Sequence, residues 1–513
     1  MIFPFVLSVK LSAVWEDKFI INQKGGNNMA IRPITNFLEN NLIEKIISEA
    51  RGLLCNLGIT LHNKEVLELL SGYGATVDQD KFHVLFTNDI IDKALGSTPS
   101  SFKLFDVLGN ETHDFSGNNS YFTPGSAAIN ILDTKTNEIR KPDTADFINY
   151  SKLMSGLKNI ASTSTAFIPA DVSEKISDSY RLYLSLLYCE KPVVTGAFTI
   201  EGFEIMKDLQ LAIRGTKETL KAKPLTIFSC CPTSPLKFSD VTSQNVADCA
   251  RFGIPVEFIS MPLSGFMAPV TLVGSLIQHT AETISGIIIS QLTNPGAPIL
   301  YGGSPAIFDM RYETTPMGAI ETMMIDCAYN EIGKFLGFPT QAYISLSDSK
   351  RLDAQAGLES SMGATLAVLS GINNISGPGM LDFESCQSLQ KLVLDNEICG
   401  MTLRMAQGIE PKEDFPSIPL FQELLKDKHL LISDHTRKYI REEHYFPGKV
   451  INRANLSRWK EEGSQSLTDR ANQEIDRLLN EYQPSRLPDD IKKVLTRRME
   501  DEARLKGVNK LPV

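Results

Sequence analysis

A (β/α)8 barrel of TIM type, α/β in class, with a helical N-terminal cap and a C-terminal helical extension, is the fold this 513-residue sequence predicts. Two patterns carry that expectation. Beyond Gly125, short apolar runs alternate with stretches of helical periodicity eight times, and near-continuous apolar strands of this kind are parallel strands covered on both faces. No G-x-G-x-x-G turn follows the first strand, as a doubly wound dinucleotide fold would require.

Composition narrows the function classes. A 42% hydrophobic content suits an enzyme-sized core. The excess of 61 acidic over 51 basic residues gives a formal charge of -10, which argues against nucleic acid and suits a cationic small substrate or a basic partner. Eight cysteines without C-x-x-C spacing read as free thiols in a reducing cytoplasm. No uninterrupted apolar run reaches the ~20 residues of a bilayer crossing, so no membrane partner is expected. A homo-oligomer is compatible with everything above.

Taken in order, residues 1–28 read as a mistranslated leader or a disordered segment. Lys24-Gly25-Gly26 can be encoded by a purine-rich string resembling a ribosome-binding site, and Met29 then starts the protein. Residues 31–124 form a mixed α/β cap, with helices near 36–57 and 63–73, a strand at 82–86, a Thr87-capped helix 89–95 and a strand at 102–107. The barrel, 125–408, places strands at 126–132, 160–167, 192–198, 225–230, 255–260, 298–302, 339–345 and 372–376. Its helices lie near 144–157, 174–188, 201–215, 240–252, 271–292, 318–336, 354–370 and 384–406. Residues 409–513 are a helical extension with charged faces at 466–481 and 487–503.

Chemistry in such a barrel sits on loops at the carboxyl ends of its strands. The best furnished is 302–318, which brings together Phe308, Asp309, Tyr312 and Glu313. Rings and carboxylates are what a quaternary ammonium needs, because it has no N–H to donate. Asp309 has a simpler reading as a cap or a partner of Arg311. His279 shares a helix face with Glu282, as a structural pair or a substrate-facing one. Two such residues make no zinc site, and no metal is expected. Glu257 lies inside an apolar strand, as a core ion pair or a deep partner of substrate charge. Phe266, Tyr343 and Gln355 complete the candidate substrate contacts, and His279, Asp309 and Glu313 are the catalytic candidates.

The segment Pro255 to Gly303, PVEFISMPLSGFMAPVTLVGSLIQHTAETISGIIISQLTNPGAPILYGG, resembles the hallmark stretch of the trimethylamine methyltransferase family. DHTRKYIREEHYFPGKVINRANLSRWKEEG resembles the family's post-barrel segment, and the likeness spans residues 34 to about 483. It implies a corrinoid-dependent methyltransferase of methanogenic or acetogenic one-carbon metabolism. The methyl acceptor would be Co(I) of a cognate corrinoid protein docking at the barrel mouth, with no cofactor tightly bound here. No D-x-H-x-x-G corrinoid signature occurs in the chain. SLSDSKRLDAQAG, 345–357, resembles the region where trimethylamine-specific members carry pyrrolysine, and only ordinary residues stand there. That moves the expected donor to a quaternary amine, foremost glycine betaine. Trimethylamine, carnitine and proline betaine are alternatives, as are a barrel hydrolase or lyase and a non-catalytic quaternary-amine-binding protein.

Overall fold

Eight short parallel strands, each followed by a helix, organise the chain. The computed structural model describes residues 31–508 and 510–512, so the leader expected at 1–28 lies outside the described residues. The strands are β1 Tyr121–Thr123, β2 Thr163–Ser164, β3 Val193–Thr195, β4 Thr226–Cys230, β5 Val256–Phe258, β6 Ile299–Leu300, β7 Gln341–Tyr343 and β8 Asn374–Ser376. Strands β2 to β6 pair in parallel in chain order as one sheet. A second parallel sheet pairs β7 with β8 and β8 with β1. Backbone bonds reach across both seams: Gln341 N donates to Tyr301 O at 3.1 Å, and Ala161 N donates to Phe122 O at 2.9 Å.

The helices between the strands match the expected periodicity closely. Those at Thr144–Gly156, Asp240–Phe252 and Ala354–Ser370 start where Asp143, Ser239 and Asp353 each accept a backbone N–H of the first turn. The helix Leu272–Thr293 is capped by Thr271 and ends at Asn294 before Pro295. By length and a mean hydropathy of 1.2 it could cross a bilayer, yet 78% of that window is buried. It is a core helix, covered by helices Asn40–Asn56, Asn88–Ser97, Asp240–Phe252 and Ile320–Phe335. Ile43, Ile46, Ile47, Ala50 and Leu54 form the buried stripe of Asn40–Asn56. Helices Leu467–Asn480 and Asp489–Leu505 pack on Leu389–Ala406 and Ile200–Arg214 respectively. Residues 31–32 and 407–438, including the helix Ile418–Asp427, belong to a separate compact unit.

Two expectations are corrected. The first strand of the series is Tyr121–Thr123 rather than 126–132, so it precedes the boundary drawn at 125. Pro124 and Gly125 end it, Ala127 turns through φ 61, and Asn130–Leu132 pairs instead with Cys386–Gln387 and Ile139–Arg140. Leu132 packs there against Ala356, Leu381 and Cys386, so its apolar run serves an outer sheet. The last helix begins at Leu389 rather than 384. Residues 380–387 form an antiparallel hairpin, Met380–Leu381 with Cys386–Gln387. Its tip, Asp382, Phe383 and Glu384, holds three successive non-glycine residues in the left-handed region, at φ 51, 54 and 69.

Candidate active site

A cavity of about 540 Å³ opens at the carboxyl ends of the strands. Residues following β1 (Ser126), β2 (Thr165), β3 (Phe198), β4 (Cys231), β5 (Met261) and β6 (Ser304) all reach it. Tyr343 of β7 and Glu384 of the hairpin after β8 complete the ring. Phe198 and Met261 are 48% and 39% exposed, so apolar side chains rim the opening.

Glu384 and Tyr343 line the interior, and Glu257 lies behind the lining residue Ser229. Glu257, fully buried on β5, accepts Ser229 Oγ at 2.6 Å and Asn374 Nδ2 at 2.9 Å. Burial pushes its carboxyl up to about 7 against the pull of those two donors. Glu384 accepts the Ser126 N–H at 3.4 Å. Burial raises its carboxyl to about 8, the Ser126 N–H opposes that, and the Glu257 charge adds to it. Tyr343 shares a 3.0 Å hydrogen bond with Ser126 Oγ, and burial followed by the charges of Glu384 and Glu257 raises its phenol well above the ordinary range. A cluster of carboxyl and phenol groups thus sits on the β1, β5 and β7 side, and its Glu384 ionises as the pH passes about 8.

Arg181 enters from the helix Ser177–Tyr188 and is 1% exposed. Nε donates to Ser177 O at 3.1 Å and Nη1 to Thr165 O at 2.8 Å. Its guanidinium carbon lies 4.8 Å from the centre of the Phe198 ring. Burial lowers its pKa to about 10, which leaves it charged at neutral pH.

The model of the family described as trimethylamine methyltransferase (MTTB) matches residues 21–503. The chain belongs to the trimethylamine methyltransferase family. It is 30% identical over 466 residues to the trimethylamine methyltransferase MttB of Methanosarcina thermophila, covering 89% of this chain and 95% of that one. Against the glycine betaine methyltransferase of Desulfitobacterium hafniense (strain Y51) it is 28% identical, covering 90% of this chain and 95% of the other. The crystal structure of the Methanosarcina barkeri monomethylamine methyltransferase (MtmB) aligns with a TM-score of 0.47 at 13% identity, over 92% of this chain and 89% of that chain. Membership makes this protein a methyltransferase.

Of the residues singled out from sequence, this trimethylamine methyltransferase family member brings Glu257 and Tyr343 to the cavity region and scatters the rest. His279 is fully buried; its Nε2–H donates to Gly302 O at 3.0 Å, and its ring stacks on Tyr329 at 4.2 Å. Burial takes its pKa down to about 3, so it is neutral, and Nδ1 finds no hydrogen-bond partner. Gly303 lies so close that a Cβ there would sit 2.4 Å from His279 Nε2. Glu282 turns away from His279 and accepts Ser234 Oγ, Leu236 N, Ser260 Oγ and Gln278 Nε2. The shared-face pair therefore does not form, because each group is taken by a different backbone segment.

Asp309 is paired with Arg311, at 3.0 Å to Nε and 2.6 Å to Nη2, the simpler of its two readings. Those bonds hold its carboxyl down at about 2. With Tyr312 and Gln355 it lines a second, shallower groove of about 450 Å³. Tyr312 is 74% exposed there, and Gln355 donates to Glu359 Oε1 at 2.9 Å. Glu313 is exposed on a left-handed turn, φ 54. Phe266 and Phe308 stack at 4.9 Å on the two-stranded ribbon Leu263–Ser264 with Ala306–Ile307. No group of three or more potential metal ligands gathers among the described residues.

Sequence reading missed Arg181 and Glu384. Both were placed within helices, and Arg181 stands out only as the one basic residue in the largely apolar turns SYRLYLSLLY.

Proposed function

We infer that this enzyme moves a methyl group from a quaternary amine, foremost glycine betaine, to Co(I) of a separate corrinoid protein. The observation that carries the reading is the set of a carboxyl group and aromatic side chains at the strand ends, Glu384, Tyr343 and Phe198, in a family of methyltransferases. The hydrogen bonds across both seams support a closed (β/α)8 barrel whose mouth is this cavity.

A quaternary ammonium has no N–H, so it is held by ring faces and anionic charge, which Tyr343 and the ionised form of Glu384 supply. The amine departs neutral when a methyl is attacked in line, and no residue need protonate it. That agrees with the burial of His279 away from the cavity. The task left to these side chains is to orient the methyl toward the opening and keep water from the reacting centre. A corrinoid brought by the partner supplies the nucleophile. The apolar rim of Phe198 and Met261, with exposed Phe266, Met310 and Tyr312 beyond it, fits a large group arriving from outside. The eight free cysteines fit a cytoplasmic setting.

The test mixes the purified enzyme with reduced corrinoid protein and a panel of methylated amines, following cobalt methylation by absorbance and the demethylated amine by mass spectrometry. Glycine betaine should give dimethylglycine and one methyl per cobalt. Preferential turnover of trimethylamine would overturn the donor assignment, and tightly bound corrinoid in the isolated enzyme would overturn the two-protein arrangement.

A further inference from the structure

Arg181 is a buried cation on the wall of the cavity, bonded to backbone carbonyls and stacked on the Phe198 ring. Two of its five N–H donors are taken by the carbonyls of Ser177 and Thr165, and it makes no ion pair among the described residues. Asp178, on the same helix, is the nearest source of opposite charge, but its oxygens accept Ser179 N and Phe198 N at 2.8 and 2.9 Å. A buried guanidinium satisfied only by neutral carbonyls is costly, and the cost falls when an anion completes its fork. Glu384 and Glu257 lie in the same region, yet neither forms a hydrogen bond or ion pair with Arg181; they take Ser126, Ser229 and Asn374. Arg181 borders the cavity into which the methyl donor would enter.

We propose that Arg181 is the specificity-determining residue of this site and binds a carboxylate carried by the methyl donor, so that the preferred donor is a zwitterionic methylated amine. The proposal rests on the methyl-donor reading above and deepens it. A planar guanidinium matches a carboxylate with two parallel N–H bonds, whereas a hydroxyl or a methyl in that place leaves it unsatisfied. The cavity then presents a guanidinium at Arg181 and, apart from it, the Glu384 carboxyl, which gains its charge as the pH rises toward 8, for the two ends of such a donor. Phe198, half exposed at the rim, sets its ring 4.8 Å from the guanidinium carbon and makes that end partly apolar.

Calorimetric titration of the intact enzyme with glycine betaine, choline and tetramethylammonium tests this. The unaltered enzyme should prefer glycine betaine over choline on the order of 100-fold, the scale of a desolvated charge-assisted pair. Arg181→Gln should erase that preference by lowering the glycine betaine affinity far more than the choline affinity, and Arg181→Lys should restore part of it. A purely structural tether for the Ser177 and Thr165 carbonyls would instead lower both affinities alike, which would overturn the proposal. Equal binding of glycine betaine and choline by the unaltered enzyme would overturn it as well, and that comparison decides even if the variants fail to fold. Failure of methyl transfer from every amine, with the carboxylate preference intact, would defeat the reaction reading and leave this one standing.

Discussion

Replacing Glu257 by glutamine should make the protein more stable, and increasingly so as the pH rises. The carboxyl titrates near 7 in the folded chain and near 4.5 when exposed, because burial penalises its charge. Between those values the unfolded chain has released a proton that the folded chain retains. Stability is therefore whole below about 4.5 and is lost progressively until the pH passes 7. At about 1.4 kcal/mol per pH unit, the penalty reaches roughly 3 kcal/mol by pH 8. Glutamine removes the titration and can keep both contacts: its carbonyl accepts Asn374 Nδ2, and its amide donates to Ser229 Oγ, since a hydroxyl rotates to accept. Urea unfolding of both proteins at pH 5 and pH 8 reads the effect. The variant should gain under about 1 kcal/mol at pH 5 and about 3 kcal/mol at pH 8. A difference that stays constant with pH would refute the assignment of Glu257 as a protonated core carboxyl, and a uniform loss would show that the amide cannot be accommodated.

Three further outcomes follow from the site. Affinity of the unaltered enzyme for a quaternary amine, measured by calorimetry from pH 6.5 to 9, should rise as Glu384 ionises near pH 8; Glu384→Gln should flatten that profile and weaken binding about 10-fold or more. His279→Ala should lower stability by about 2–4 kcal/mol through the lost ring and its bond to Gly302, while kcat per folded molecule is kept; a large loss of kcat at unchanged melting temperature would return His279 to catalysis. Asp309→Asn should leave melting temperature and turnover within about twofold of the parent, as an exposed ion pair predicts, and a selective loss of turnover would argue for a role at the second groove.

The fold was largely readable because its elements have strong periods. Seven of the eight strands and nearly every helix boundary follow from alternating apolar runs and side-chain caps such as Thr271 and Asp353. The first strand was misplaced because an apolar run says only that residues are covered, and Asn130–Leu132 is covered in an outer sheet. The site was less readable because its charges reach the cavity from unlike elements. Glu257 was visible as a charge inside a strand, whereas Arg181 comes from a helix and Glu384 from a hairpin tip that reads as the start of one. Asp309 and His279 show the converse: residue types suited to chemistry whose neighbours, Arg311 and Gly302, hydrogen-bond them.

The left-handed tip at 382–384 sets up a conflict between endurance and activity. Three L-residues in a region that glycine enters freely cost on the order of 1 kcal/mol each, and the buried Asp395, which accepts Gly379 N at 2.6 Å and pairs with Lys391, helps fix the hairpin that carries them. A laboratory lineage selected only for survival at high temperature would find glycine at 382 or 383 an easy gain. Each such gain would loosen the arm that delivers Glu384 to the cavity. Heat-hardened descendants would then accumulate as well-folded proteins with a slack grip on their amine, and the sequence of this one tip would tell which pressure a lineage had been under.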